Sequence, residues 1–310
     1  MDLKVFAGAV GDRGAMPVAL KTPWHRLSQA LIAVSALLCL GLTLCYWLRP
    51  DALAAITIFP VGCWFLLGLL VTGLGWNRKL RRQVKWMGAM WLFFLILFAD
   101  EPRSILRTLL PRSGAEGARS LRVVSFNCSV GDPLAAAEVA KWNPDVVLLQ
   151  ESPSRADVER LARRLFGKEG DFHWGVDGSI LARGKLTPRP LPPALRSYFV
   201  QAHLQLPQGQ EIEVLSLRLM TPPFRLDVWS PACWEAYRHN RRLQTAQMGA
   251  IQEQLSVVPP ERAILLGGDF NAPQGDAIFG ALRPRLRDSF AHAGRSWGNT
   301  IINDFPALRI

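Results

Sequence analysis

Three short stretches end apolar runs on side chains that can act together on an anion or a metal. The stretch "AILLGGDFNAPQGD" (263–276) climbs from Ala263 to Leu266 and delivers Asp269 and Asn271. "LRVVSFNCS" (121–129) delivers Asn127, and "NPDVVLLQES" (143–152) delivers Gln150 and Glu151. A short apolar run followed by turn residues reads as a buried strand. The C-terminal ends of strands are where α/β proteins place ligands. On extended backbone Asp269 and Asn271, two residues apart, point the same way. Gly267 and Gly268 before them allow a sharp turn and a close approach by a ligand. The same cluster of Asp, Asn, Gly and Pro also fits an Asx-type turn in which both side chains only satisfy nearby backbone. For this stretch alone both readings stay open. Glu151 has a purely structural alternative too, although a charged residue ending a strand ordinarily has a partner or a function.

Taken together and in this order, the three motifs resemble the endonuclease/exonuclease/phosphatase superfamily, the DNase I-like fold. The match is to its Asn-bearing first strand, its "LQE" glutamate and its "GDFNA" loop, and it covers Leu121 to Ile310. The resemblance implies an α/β four-layer sandwich, two packed β-sheets flanked by helices, that hydrolyses phosphate ester bonds. It implies that Glu151 binds a metal, usually Mg²⁺ with Mn²⁺ as the alternative, and that Asn127 beside it is a ligand on the metal or phosphate side. Asp269 would orient or deprotonate the attacking water, and Asn271 would hold the phosphate. These residue types suit the chemistry. Hard Mg²⁺ prefers carboxylate and amide oxygens, and a bound cation offsets charge developing on a phosphoryl oxygen.

The sequence departs from the family pattern twice. The family carries a histidine in a "His-Leu" step near mid-domain, and the matching place in "EVLSLRLMTPP" (213–223) holds Arg218. Arginine cannot serve as a base, but its fork binds phosphate through paired hydrogen bonds, so Arg218 is expected to bind substrate. His203, in "YFVQAHLQLPQGQ", reads "His-Leu" but falls on the preceding strand of a hairpin, which makes it structural. The family also ends on an Asp-His pair after an "Arg-Ile" step, whereas this sequence reads "NDFPALRI" and stops at Ile310. The domain is therefore expected to be truncated at its C-terminus and impaired in hydrolysis.

Regular elements must position these groups. "DPLAAAEVAKW" reads as a helix after the first strand, and "SRADVERLARRLFG" as a helix with a Ser cap and a Gly stop. "GSILARGKL" reads as a strand. "CWEAYRHNRRLQTAQMGAIQEQL" reads as a long amphipathic helix bearing Arg241, Arg242, Gln244 and Gln247. The family has an Arg/Gln pattern there, but a solvated helix face is equally compatible.

The first third is a different material. The spans 27–48 and 52–76 contain no charge, and each has the roughly 20 residues needed to cross a bilayer. Pro60 would kink the second, as membranes tolerate. A third span, 84–99, is shorter and needs Lys85 to snorkel; a buried or interfacial helix is its alternative. The expected layout is a tail at 1–26, a transmembrane region at 27–99, a juxtamembrane linker at 100–120 and the phosphoesterase-like domain at 121–310. Within the linker, "SILRTLL" suits a short amphipathic turn on the membrane surface. "NRKLRRQVK" (77–85) holds five basic residues and no acid. The positive-inside rule puts that loop in the cytoplasm and the C-terminal domain outside it, in the plasma or inner membrane. A net charge of +11 with a positive mean hydropathy fits neither an ordinary soluble enzyme nor a pure transporter. The charge suits contact with anionic lipid or an anionic substrate. Cys128 and Cys233 are the only cysteines in the outer domain, and no CxxC or zinc spacing is present.

Three functions follow: a membrane-anchored metal-dependent phosphohydrolase or phosphodiesterase acting on phosphate esters outside the cytoplasm, such as lipid-linked phosphates or phosphodiesters, an anchored extracytoplasmic nuclease, or a binding module of the same fold with impaired catalysis. Trp229, Trp234 and Trp297 are the candidate stacking residues for the nuclease. The expected partners are the lipid bilayer and a phosphate-containing substrate; nothing in the sequence points to a protein partner.

Overall fold

The computed structural model describes residues 22–111, 120–283, 285–298 and 300. The first part of the basic tail, the linker segment 112–119 and the chain end with its expected truncation at Ile310 lie outside the described residues.

The sandwich is built from two mixed sheets. The first contains β1 (Val123–Asn127), β2 (Val146–Gln150), β3 (Gly170–Trp174) and β4 (Gly178–Arg183), in the order β1-β2-β4-β3. The second contains β5 (Lys185–Pro188), β6 (Phe199–Gln205), β7 (Glu211–Arg218) and β8 (Ala263–Asp269), in sequence order. Each sheet has one parallel pair, β1 with β2 and β7 with β8; the other pairings are antiparallel. Alternation sorts the side chains into layers. Val146 and Leu148 of β2 face Val200, Ala202 and Val214 of the opposite sheet. Val147 and Leu149, one residue out of phase, pack outward against Val158, Leu161, Ala162 and Phe166. Those four line one side of α7 (Arg155–Phe166), capped by Ser154 and stopped by Gly167. With both faces covered, β2 is a continuous apolar run. On the far side α8 (Pro231–Ser256) lays Met248, Ile251 and Leu255 on Phe199, Leu215 and Leu217. Helix, sheet, sheet, helix is the expected four-layer order. The short helices α6 (Pro133–Ala137) and α9 (Ser289–Ala293) complete this part.

Two details differ from the sequence expectations. "GSILARGKL" is not one strand. Gly184, at φ 130°, carries the chain from β4 in one sheet to β5 in the other, and a Cβ there would meet the Gln205 carbonyl at 2.4 Å. Gly267 and Gly268 also make no turn, for both lie inside β8. A Cβ on Gly267 would strike Leu148 of the facing sheet at 2.6 Å, and one on Gly268 would strike the Leu217 carbonyl at 2.1 Å. They are glycines because neighbouring chain comes too close for anything larger.

The N-terminal helices are α1 (Thr22–Leu48), α2 (Ala54–Thr57), α3 (Val61–Leu74), α4 (Arg81–Phe98) and α5 (Glu101–Thr108). Of the three expected spans, one helix is long and apolar enough to cross a membrane, Pro23–Leu48. The second span, 52–76, is broken at Pro60, which has no N–H to donate and whose ring clashes with the preceding turn. The pieces Asp51–Thr57 and Val61–Leu74 meet at 69° and count as a second span only if taken together. The third, 84–99, falls in α4, whose 18 residues include Arg81, Arg82 and Lys85. Inside the bundle Trp91 Nε1 donates to Ser35 Oγ at 2.9 Å, and Ser35 Oγ lies 2.7 Å from Thr72 Oγ1. The Trp91 ring lies so close over Gly68 that a Cβ would sit 2.0 Å from it.

The bundle is joined to the sandwich. Ala54 and Ala55 pack on Cys233 and Tyr237 of α8. Arg49 Nη1 donates to the Gln274 carbonyl at 3.1 Å, and Gln274 Nε2 to Glu101 Oε2 at 3.3 Å. All five cysteines are free, Cys128 and Cys233 included.

Candidate active site

The two parallel pairs bring four strand ends to one edge. Asn127 stands opposite Gln150 in the first sheet, and Arg218 opposite Asp269 in the second. A polar seam joins the sheets beneath them. Buried Gln150 donates through Nε2 to Ser125 Oγ at 3.2 Å and to Ser216 Oγ at 3.1 Å, and Ser216 Oγ donates to the Leu149 carbonyl at 3.0 Å. A satisfied network of this kind fixes the offset of the sheets and so the spacing of the side chains above it.

At the mouth, Asn127 Nδ2 donates to Asp269 Oδ2 at 3.0 Å and to Glu151 Oε1 at 3.1 Å. Arg218 Nη2 lies 2.9 Å from the same Glu151 oxygen. The buried Arg218 Nε lacks a hydrogen-bond partner and stands 4.0 Å from Asp269 Oδ2. All five sequence-predicted residues thus meet here, but Asn271 does so differently from expectation. Its backbone is left-handed, φ 48°, not extended. Its N–H donates to Asp269 Oδ1 at 3.1 Å, and its Nδ2 to the Leu219 carbonyl at 2.8 Å. The Asx turn and the convergence therefore coexist. Asn127 does the same, with Oδ1 accepting from Ser129 N–H at 2.9 Å.

Asp177 escaped the sequence reading, while Gln244 and Arg241, expected on the long helix, find partners that the sequence did not indicate. Asp177, in the turn between β3 and β4, accepts from Arg218 Nη1 at 3.3 Å. Buried Gln244 of α8 donates to the Asn271 carbonyl at 2.9 Å and to the Met220 carbonyl at 2.8 Å. Arg241 grips Asp276 with both Nη atoms, one contact at 2.6 Å, where both side chains are almost wholly buried. This part of α8 is therefore no solvated face; it clamps the loop that follows Asp269. His203 lies away from the mouth beside Glu213, with Nδ1 3.7 Å from Oε2.

The electrostatics are unbalanced. Three carboxylates, Glu151, Asp177 and Asp269, surround the single guanidinium of Arg218, a local charge of two negative. Burial pushes the Asp269 carboxyl above its ordinary range, opposed by the bonds from Asn271 and Asn127 and by Arg218. Burial raises Asp177 as well. The backbone is strained at the same place. Ser129, Val130, Glu151 and Asn271 all have positive φ, and for a β-branched residue such as Val130 this is a true outlier. The Val130 N–H donates to Glu151 Oε2 at 2.5 Å, which ties the strained turn to the glutamate. Strain of this kind clusters at functional sites.

The carboxylates are hard donors of the kind Mg²⁺ takes, and a divalent cation matches the local charge; Asn127 turns Nδ2 toward them and Oδ1 to the Ser129 N–H, so its amide would have to rotate to offer its oxygen. In this sense the residues fit the metal. Among the described residues no three carboxylate, histidine or cysteine side chains already form a ligand cluster; Arg218 stands between them.

Comparison with known proteins gives a family match over residues 124–310, to the Endonuclease/Exonuclease/phosphatase family. No curated protein sequence matches. Similar solved structures include a humanized D. rerio TDP2 (19% identity, 52% of this chain and 70% of that one, TM-score 0.38). A truncated Caenorhabditis elegans TDP2 is similar at 18% identity over 51% of this chain and 64% of that one, TM-score 0.37. The 3'-5' exonuclease NExo from Neisseria meningitidis is similar at 16% identity over 57% and 77%, TM-score 0.40.

Proposed function

The chain belongs to the Endonuclease/Exonuclease/phosphatase family, and from that membership we propose that it is a membrane-anchored phosphoesterase that works at this mouth with a divalent cation, Mg²⁺ or Mn²⁺. The observation that supports the site most is the meeting of Asn127, Glu151, Arg218 and Asp269, at the ends of four strands of two sheets, in a ring of contacts each 4.0 Å or shorter. Glu151 and Asn127 would hold the cation. When bound, such a cation neutralises charge that develops on a phosphoryl oxygen. Asp269, held by Asn127 and by the Asn271 N–H, would aim a water and take its proton; its raised pKa brings it closer to that of a working base. Arg218 and Asn271 would bind the phosphate, Arg218 by swinging its fork from Glu151 toward Asp177 and Thr221.

The anchor reading rests on what the bundle presents to its surroundings. Leu37, Leu40 and Trp47 of α1 and Leu66 of α3 are all well over half exposed. Together with the basic loop at 77–85, this supports a domain lying outside the cytoplasm. A protease added from the outer side of intact membranes should then cleave the linker and release the domain.

One observation favours a second reading, a binding module without turnover: Arg218 sits directly on Glu151. Titration calorimetry with Mg²⁺, alongside turnover of bis(p-nitrophenyl) phosphate, tests both. Glu151→Gln should weaken Mg²⁺ binding by about 10–100-fold, and Asp269→Asn should lower turnover by about 10²–10⁴-fold. Unaltered Mg²⁺ binding by Glu151→Gln would overturn the metal assignment. Phosphate binding with no turnover in the parent chain would select the module.

A further inference from the structure

We propose that the mouth faces the bilayer holding the bundle, that the loop 219–230 lies in its headgroup layer, and that the substrate is the phosphate headgroup of a lipid in that leaflet. The orientation rests on the anchor reading above together with distances and exposure, and the substrate rests on the phosphoesterase reading as well.

Two rulers set the height of the site above the bundle. Tyr237 of α8 packs on Ala54 and Ala55 at the end of the bundle, while Gln244 of the same helix holds the Asn271 carbonyl. Seven residues of helix span about 10 Å at 1.5 Å each. Along the loop, Asn271 is three residues from Gln274, at most about 11 Å of chain, and Gln274 is bonded to Arg49 and to the Phe98 carbonyl at the ends of α1 and α4. Both figures are upper limits. A headgroup layer is roughly 5–8 Å deep, from a 30 Å core within a 40–45 Å bilayer. Asn271 therefore stands no more than about 11 Å from the ends of the helices, within one to two headgroup layers.

The segment between the site and the bundle is apolar on its outside. It starts at Arg218 and runs back along α8. The Met220 N–H donates to Gln247, the Tyr237 hydroxyl donates to the Arg225 carbonyl, and Trp234 Nε1 donates to the Val228 carbonyl. Although pinned in this way, the loop leaves Phe224 90%, Leu226 72% and Trp229 83% exposed. Across the mouth Val130 is 91% exposed. Its strained backbone would suit glycine better, and its side chain contributes nothing to the core, which leaves it free for a contact beyond the protein. Large apolar side chains around a polar mouth mark an interaction surface, and a Trp such as Trp229 next to membrane helices suits the interfacial belt. At the foot of the loop Trp229, Pro231, Trp234, Glu235 and Arg238 line an open cleft of about 430 Å³, in which Arg238 is paired with Glu235 at 3.3 Å. The net charge of +11 favours an anionic leaflet.

The test uses the full chain reconstituted in vesicles of phosphatidylcholine and phosphatidylglycerol that carry a nitroxide quencher at headgroup depth. An environment-sensitive fluorescent amino acid replaces Phe224 in one protein and Gln208 in another. Gln208 lies in the turn between β6 and β7, at the end of β7 opposite Arg218. Strong quenching and a blue shift at 224, with neither at 208, are the expected result. No quenching at 224, or equal quenching at both positions, overturns the orientation, and an unquenched 224 points to a protein partner on this surface. Turnover of the vesicle lipids and of soluble bis(p-nitrophenyl) phosphate is followed in the same samples. Quenching at 224 without turnover of either ester would select the binding module over the lipid hydrolase and leave the orientation standing. Turnover of the soluble ester alone would remove the lipid substrate.

Discussion

Between the two sheets Leu148, Ile180 and Val214 are sealed from solvent; in the helical bundle Leu37, Leu40 and Leu70 stand well over half exposed while Ser35 and Thr72 are sealed inside. The sandwich follows the ordinary rule for a protein in water, with apolar area removed and polar groups outside except at a site. In the bundle the outward positions are apolar, and part of the interior is held by hydroxyl and indole hydrogen bonds and by a glycine under a tryptophan. Where the surroundings are as apolar as leucine, burying leucine gains little, and small residues, close packing and interhelical hydrogen bonds hold helices together instead. The same chain thus carries two solutions to packing, and the difference supports a different solvent for each.

The largest expected effects compare two glycines. In Gly268→Ala the added carbon would sit 2.1 Å from the backbone carbonyl of Leu217. Backbone in a paired strand cannot step aside, so β7 and β8 should separate, with a loss of more than about 4 kcal/mol. In Gly68→Ala the carbon meets the Trp91 ring at 2.0 Å. A side chain can shift, so this substitution should cost about 1–3 kcal/mol, as overpacking generally does. Chemical denaturation followed by separate probes in the two regions reads both. Equal losses would mean that the bundle is as rigidly determined as the sandwich and that the contrast is overstated.

The next pair exchanges the solvents. Leu148→Ala should cost about 2–5 kcal/mol, as a core truncation does. Leu37→Arg, near the middle of α1, is the sharper probe. On a surface bathed in water it would change stability by less than about 0.5 kcal/mol. Facing hydrocarbon it should cost about 2.5–3.5 kcal/mol and reduce the membrane-inserted fraction of the protein. A Leu37→Arg chain that is fully folded and inserted to the parent level would sink the anchor reading.

Much of the sandwich was legible because its strands are short apolar runs ending on polar residues, and the site residues sit at those ends. What stayed illegible depends on long-range geometry. Arg241 and Asp276 are 35 residues apart, and nothing local in an Arg-rich helix says that one arginine turns inward to grip a distant loop. Asp177 sits in a hairpin turn, where an aspartate ordinarily reads as turn chemistry. Gly184 interrupts an otherwise regular run, and only the second sheet explains why the chain changes partners there. For Asn271 the spacing of two residues from Asp269 predicted the right neighbourhood through the wrong backbone, since a left-handed residue was read as extended. In the bundle, hydropathy located the apolar segments and Pro60 marked the kink in the second, but only the packed helices give its size, 69°.

The smallest effect separates the two regions by pH. The hydrogen-bonded hydroxyls and indole inside the bundle do not titrate in the working range, whereas the mouth holds carboxylates kept charged at a cost. Burial raises Asp177 above its ordinary value of 3.8, and Arg218 only partly offsets this. For a carboxyl whose folded pKa is raised, the folded state binds the proton more tightly than the unfolded state. Its unfavourable contribution is then fully present above the folded pKa and fades as the pH falls through that value toward 3.8. Asp177→Asn keeps an oxygen to accept from Arg218 but removes the charge. It should therefore melt slightly higher than the parent at neutral pH, and the gain should vanish in acid. The probes of the bundle should register neither change. A lower melting temperature for Asp177→Asn at neutral pH would show that its attraction to Arg218 outweighs the cost of burial, and that the mouth is held together by its charges rather than strained by them.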